Sequence, residues 1–204
     1  MEAFDRATGG PGDGWQRHAR ILDLGSGTGL VGERLAARGY TNVVGLDASS
    51  DMTAVAEAKR CYAELVLGDA SDMRATAGFE DCSFDGLVSV GTFTPHHCGA
   101  KALAEAVRVV RRGGVLCLSL RDDFLADESS PEGESSFAEA LLQTQERPPP
   151  LGAGHGGFAR ERGADVQSAP LPKALREVLV TPPQLYTPNV SQDITFRCWV
   201  YEVI

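Results

Sequence analysis

One segment carries residues whose types and order point to chemistry: Arg20-Ile-Leu-Asp-Leu-Gly-Ser-Gly-Thr-Gly-Leu-Val. An apolar run passes directly into Gly25, Gly27 and Gly29, and a helix-like stretch begins after them. A sharp turn at the carboxyl end of a strand needs residues without a Cβ, so that backbone can approach a ligand closely. The N–H groups at the start of the following helix have no partner within the helix. Gly27-Thr-Gly29-Leu-Val-Gly32 also fits the dinucleotide pattern G-x-G-x-x-G, and Asp47 follows Gly27 at the spacing of a ribose-binding acid of a nicotinamide enzyme. The register speaks against that pattern. Its first glycine follows the strand at once, whereas here the strand ends at Gly25 and Asp23 interrupts the apolar run just before. A carboxylate at that place repels phosphates and favours an ammonium. The other role open to Asp23 is that of a helix cap or turn acceptor.

Asp47 and Asp69 repeat the placement. Each falls at or near the carboxyl end of a predicted strand, the edge at which open α/β sheets bind their ligands. Ionised carboxylates only accept hydrogen bonds, so three of them suit a ligand rich in donors. A single Asp at a strand end often just begins a turn. Three at successive strand ends carry more weight.

The elements that must position these residues alternate along the chain. Strand-like apolar runs begin near Ile21, Val43, Leu65, Leu87 and Val115. Helix-like stretches at 29–38, 51–60 and 101–112 separate the first from the second, the second from the third and the fourth from the fifth. The second helix has a Ser49-Ser50-Asp51 start suited to N-capping. The third ends in arginines and Gly113-Gly114, which are stop signals. Strands alternating with helices predict an α/β sheet of parallel strands covered on both faces. The last third reads differently. A helix is expected over 135–146, a mobile Pro- and Gly-rich loop over 147–172, and a closing antiparallel pair of strands at 174–180 and 195–204.

With 204 residues the chain is expected to form a single domain. Lys and Arg number 19 against 28 Asp and Glu, a net charge of −9, which argues against a protein that grips nucleic-acid backbones. The least polar stretch, 113–120, is too short to span a bilayer, and the first residues lack the apolar core of a signal peptide. Five cysteines without a C-x-x-C pair support neither a zinc site nor a complete disulfide framework. The prediction is an intracellular, cytoplasmic protein with no metal, no nucleic-acid partner and no membrane partner.

Taken together, the segments resemble the class I S-adenosylmethionine-dependent methyltransferases. Asp23-Leu-Gly25-Ser-Gly27-Thr-Gly29 is similar to their first motif, Gly45-Leu-Asp47-Ala-Ser-Ser-Asp-Met52 to their second and Leu67-Gly-Asp69-Ala70 to their third. Phe84-Asp-Gly-Leu-Val-Ser-Val-Gly91 is similar to their fourth strand, and Val107 to Gly114 with the run after it to the junction leading into strand five. The resemblance spans about residues 20–125, in order and spacing. Within the superfamily the chain is most similar to the methyltransferase-like proteins of the Williams–Beuren syndrome region. The segment 21–31, the turn at Gly91, Leu116-Cys-Leu-Ser-Leu-Arg121 and the closing Tyr-Thr-Pro-Asn and Val-Tyr-Glu-Val runs carry that likeness.

The resemblance implies a Rossmann-like, seven-stranded, mostly parallel sheet of order 3-2-1-4-5-7-6, with the last strand antiparallel and helices on both faces. It implies S-adenosylmethionine as cofactor and S-adenosylhomocysteine as product. Asp47 would hold the ribose hydroxyls and Asp69 the adenine amino group. The implied cofactor site is Asp23, Gly25, Ser26, Gly27, Thr28, Gly29, Leu30, Asp47, Ala48, Met52, Asp69, Ala70 and Val90. The implied reaction is methyl transfer by direct displacement to a small-molecule acceptor that the motifs do not name. A protein of the same fold that binds the cofactor without turnover, and a nicotinamide-dependent oxidoreductase, are the alternatives.

The chain departs from the family pattern in two places. Only about 20 residues precede Ile21, too few for the helical lid of such enzymes, which predicts a pocket open on the side of residues 1–15. Phe4 and Trp15 are the aromatic side chains there that could fold back as a minimal cover. After strand four, Gly91-Thr-Phe-Thr-Pro95-His96-His97 stands where an Asn/Asp-Pro-Pro-Tyr/Phe motif would mark methylation of an amide or adenine amine. His96 or His97 could act as general base, or both could be solvated loop residues. Asp122 and Asp123, after strand five, could line the acceptor pocket or form a solvated turn.

Overall fold

Ile21–Leu24 form β1, and all four residues are buried. A strand covered on both faces must be apolar throughout, and Asp23 breaks that rule in its middle. The computed structural model describes residues 3, 4, 6, 18–94, 97–125, 136–144, 174–185 and 195–204. The expected loop at 147–172, Trp15 and His96 lie outside the described residues.

Seven further strands follow among the described residues: β2 (Val43–Asp47), β3 (Glu64–Leu67), β4 (Phe84–Ser89), β5 (Val110–Arg121), β6 (Leu175–Val180), β7 (Gln184–Leu185) and β8 (Thr195–Val203). The helices between and around them, among the described residues, are α1 (Leu30–Ala37), α2 (Ser50–Ala58), α3 (Met73–Ala77), α4 (Ala100–Val109), α5 (Asp122–Leu125) and α6 (Phe137–Thr144). The strands make one sheet of order β3-β2-β1-β4-β5-β8-β6, with β7 paired to β8. Pairings from β3 through β5 are parallel, and β8 runs antiparallel to both β5 and β6. The predicted order 3-2-1-4-5-7-6 is therefore present, with the expected closing strand as β8. The two-residue β7 is an addition.

The sheet buries a core on each face. On the face of α1, Phe4, Ile21, Leu35, Tyr40, Val43 and Val88 pack together. Phe4 is fully buried, and its ring meets Tyr40 edge-on at 5.8 Å. It is a core residue rather than a cover for a pocket, which corrects that expectation. On the other face, Leu22, Leu24, Leu46 and Leu116 meet α3, α4 and α6 through Met73, Leu103, Ala106, Phe137 and Leu141. Among the described residues no helix is long and apolar enough to cross a membrane. None of the five cysteines is in a disulfide.

Two boundaries differ from the sequence pattern. The helix expected over 101–112 ends at Val109, because Val110 pairs with Phe84 and is buried in the sheet. Arg111 then bonds Asp85 at 2.7 Å. The five-residue α3 was not foreseen, since it is too short to show a helical period. It is held from outside. Glu105 on α4 accepts from Met73 N–H at 2.8 Å, and Asp72 caps the turn through Ala75 N–H at 3.2 Å. Arg108 grips the same Glu105 carboxylate at 2.7 Å and Phe79 O at 2.9 Å, fixing the segment that follows Asp69.

The Arg108 hydrogen bonds, foremost, hold the Glu105 carboxyl below the usual glutamate range. A depressed folded value means the stabilisation is complete above the unfolded value and is lost as pH falls through the folded one. Glu105→Gln should cost about 1–2 kcal/mol at neutral pH. The gap to the unaltered chain should close below about pH 4, read by urea unfolding across pH.

Candidate functional site

Asp23 stands opposite Gly45 of β2 and Val88 of β4, at the centre of the sheet. Its side chain is fully buried. The Tyr62 hydroxyl donates to Asp23 Oδ2 at 2.6 Å. Burial, foremost, pushes the Asp23 carboxyl up to about 7, and the charge of Asp47 adds to this. The Tyr62 hydroxyl and the Gly32 N–H work in the opposite direction. Asp23 Oδ1 and Ser26 Oγ are buried with no hydrogen-bond partner among the described residues. A buried acceptor without a partner is what a bound donor would satisfy.

The glycine turn follows. Gly25, Gly27 and Gly29 take φ of 70°, 53° and 83°, the left-handed region that glycine enters without strain. Gly25 N–H and Ser26 N–H both donate to Leu46 O, at 2.8 and 3.0 Å, which draws the turn towards β2. A Cβ on Gly25 would lie 2.1 Å from Thr92 Oγ1, so this glycine makes room for the loop after β4. A Cβ on Gly27 would meet nothing within 4 Å. That open direction, beside half-buried Thr28, is where a ligand can pass. Gly32 has a different reason. A Cβ there would lie 2.2 Å from the Tyr62 ring, so this position clears space for a side chain and not for a pyrophosphate.

Asp47, the last residue of β2, holds the turn. Its Oδ2 accepts from Gly27 N–H at 2.7 Å and its Oδ1 from Ser49 N–H at 2.9 Å. Ser49 in turn caps α2 through Met52 N–H at 3.3 Å, next to exposed Ala48. Asp69 begins a turn: its Oδ1 accepts from Ser71 N–H at 2.7 Å. It stays exposed, while Ala70 packs against the core. Among the described residues, six large apolar side chains are exposed, and Leu30, Met52, Leu67 and Val90 all lie along this edge. They surround the acids with apolar surface.

Some neighbours were not foreseen. Cys98, just before α4, sits half-buried, and burial followed by the charges of Asp69 and Asp47 pushes its thiol up. No spacing rule points to it, because the loop after β4 brings it there. Tyr62 lies outside every motif as well. His97 is exposed and its Nδ1 is 3.0 Å from Thr94 Oγ1. Asp122 and Asp123 are tied to the protein itself: Asp122 bonds Thr195 and pairs with Arg197 at 3.1 Å, and Asp123 pairs with Arg121.

The family described as "Methyltransferase domain" matches residues 22–118. Human methyltransferase-like protein 27 is 31% identical over 134 residues, covering 63% of this chain and 48% of that one. A demethylmenaquinone methyltransferase of Thermotoga maritima is 33% identical over 100 residues, covering 48% of this chain and 42% of that one. The chain spans about half the length of the curated relatives it matches. In fold it is similar to a SAM-dependent methyltransferase of Methanosarcina mazei, with TM-score 0.57 and 18% identity over 92% of this chain and 93% of the other. A TehB-like SAM-dependent methyltransferase of Corynebacterium glutamicum gives TM-score 0.53 and 20% identity, over 92% of this chain and 82% of the other.

Asp23 makes a prediction about pH. Its folded value, about 7, lies above the ordinary value of 3.8 expected in the unfolded chain. Between the two the folded state holds the extra proton, so stability falls as pH rises through this window. Asp23→Asn removes the titration and keeps an acceptor for Tyr62. Thermal midpoints measured at about pH 5 and about pH 8 should drop by several degrees more in the unaltered chain than in the variant.

Proposed function

We propose that the chain is a class I S-adenosylmethionine-dependent methyltransferase and that it transfers a methyl group from S-adenosylmethionine to a small-molecule acceptor. The observation that carries the proposal is one sheet edge where an open glycine turn, three carboxylates and exposed apolar side chains meet. The donor set fits this cofactor: an ammonium, a ribose diol and an exocyclic amine all donate hydrogen bonds, and carboxylates accept them. When bound, the cofactor supplies a methyl group on a positively charged sulfur, ready for direct displacement.

Asp23, with a free Oδ1 acceptor in the interior, would hold the ammonium end. Gly25, Ser26, Gly27, Thr28 and Gly29 would lie along the ligand. Asp47 would accept from the ribose diol through lone pairs left over from Gly27 and Ser49. Asp69 and Ala70 would meet the base, and Leu30, Met52 and Val90 would screen the ligand from water. The chain then has mainly to align nucleophile and methyl group, which lowers the barrier by orientation alone. If the acceptor carries a proton, His97 would be a candidate to take it. The likeness to a demethylmenaquinone methyltransferase supports a small-molecule acceptor.

Calorimetry should give binding heat with S-adenosylhomocysteine and none with NAD. Asp47→Ala should weaken binding by about 1.5–3 kcal/mol. Gly27→Val should abolish it, since the branched side chain fills the open direction. Variants that keep their fold and bind as tightly as the unaltered chain would sink this site. A methyl-acceptor screen then separates an enzyme from a protein that binds without turnover.

A further inference from the structure

Helix α1 starts on Gly29, whose φ of 83° and missing side chain leave the helix without a cap of its own. The usual N-cap side chain accepts from the N–H two or three positions on, and its loss destabilises the helix. Here the Gly32 N–H, three residues after the cap position, donates instead to the Tyr62 hydroxyl at 3.2 Å. Tyr62 comes from the connection between α2 and β3, 30 residues away. The same hydroxyl donates to Asp23 Oδ2 at 2.6 Å. Its ring lies against two glycines: a Cβ on Gly29 would be 3.2 Å from it and one on Gly32 only 2.2 Å. One side chain thus fills the space under the first turn of α1, caps that turn and ties it to the central strand.

We propose that Tyr62 is a positioning residue for the glycine turn, capping α1 in trans and fixing its height over β1 through Asp23. This rests on the reading of the turn as the cofactor cradle. The physical logic is a division of labour. A side chain at position 29 would press on Ala56 and the Tyr62 ring and resist φ of 83°. Capping from Tyr62 lets Gly29 keep its left-handed backbone and holds the turn from beneath, while the direction of Gly27 stays open. A turn held before the ligand arrives spares the ordering cost on binding.

The test uses the full chain and Tyr62→Phe, which keeps the ring and removes the hydroxyl. Hydrogen exchange at the Gly32 amide should speed up about tenfold. Affinity for S-adenosylhomocysteine should fall by about the same factor. A third readout separates capping from mere filling. Asp23 is faced by Tyr62, by Asp47 and by the Gly32 N–H, and the hydroxyl favours its ionised form. The carbon-13 titration of the Asp23 carboxyl should therefore move to higher pH in the variant, whereas a ring that only fills space would leave it in place. Unchanged exchange at Gly32 together with an unmoved Asp23 titration overturns the proposal. If the unaltered chain does not bind S-adenosylhomocysteine, the cofactor reading falls, and exchange and titration still decide the role of Tyr62. If Tyr62→Phe does not fold, exchange in the unaltered chain decides: the Gly32 amide should exchange more slowly than that of Val31, and equal rates overturn the cap.

Discussion

Asp23 places an ionisable group in β1, a strand with neighbours on both sides, and burial leaves it one hydroxyl donor among the described side chains. A carboxylate so placed resists ionisation, and a field of one sign adds to the resistance, because Asp47 stands near. Much of the edge is organised around that constraint. Tyr62 reaches in to meet the acid, two glycines give way to its ring, and α1 gains the hydrogen bond that its own first residue cannot make. The interior thus tolerates a polar centre because a partner is supplied from an element that is distant in the chain.

A second link works from the other side. Asp47 joins the glycine turn to the start of α2 by accepting from Gly27 and Ser49. Leu46 adds its carbonyl, which takes Gly25 and Ser26 N–H together. From the β4 side, Ser89 and Thr92 hydroxyls both donate to Leu24 O at 2.9 Å. The turn is therefore anchored by its backbone on two flanks, while the face that a Cβ of Gly27 would enter stays clear. Rigid support behind and open space in front is the arrangement that a small-ligand cradle requires.

Much of this was legible in the order of residues. Continuous apolar runs mark the buried strands, and the Ser49 start marks α2, because both signals are local. The glycines and three acids are legible for the same reason: each sits in a short motif. What escaped depends on contacts far apart in sequence. Tyr62 acts on a residue 39 positions away, and Glu105 steadies α3 from 32 positions away. Gly32 reads as part of a dinucleotide pattern until the ring that occupies its space is seen. Val110 reads as the end of a helix until its pairing with Phe84 takes it into the sheet. Phe4 was weighed as a cover for the pocket, yet Tyr40 and the sheet draw it into the core.

The position of β8 between β5 and β6 bears on how the chain matures during synthesis. Strands β3, β2, β1, β4 and β5 can assemble from residues already made, but among the described residues β6 pairs with β8 alone and must wait for it. From Asp122, beside the end of β5, to Thr195, where β8 begins, lie 73 positions. At roughly 5–20 residues per second a ribosome takes about 4–15 s to cover that span. For those seconds the apolar edge of β5, Val115 to Leu120, lacks its antiparallel neighbour. Such a margin offers unpaired backbone groups to any other chain. The nascent protein therefore passes through a stage that favours protection by chaperones, and its success depends on completing the sheet before another strand takes the place of β8.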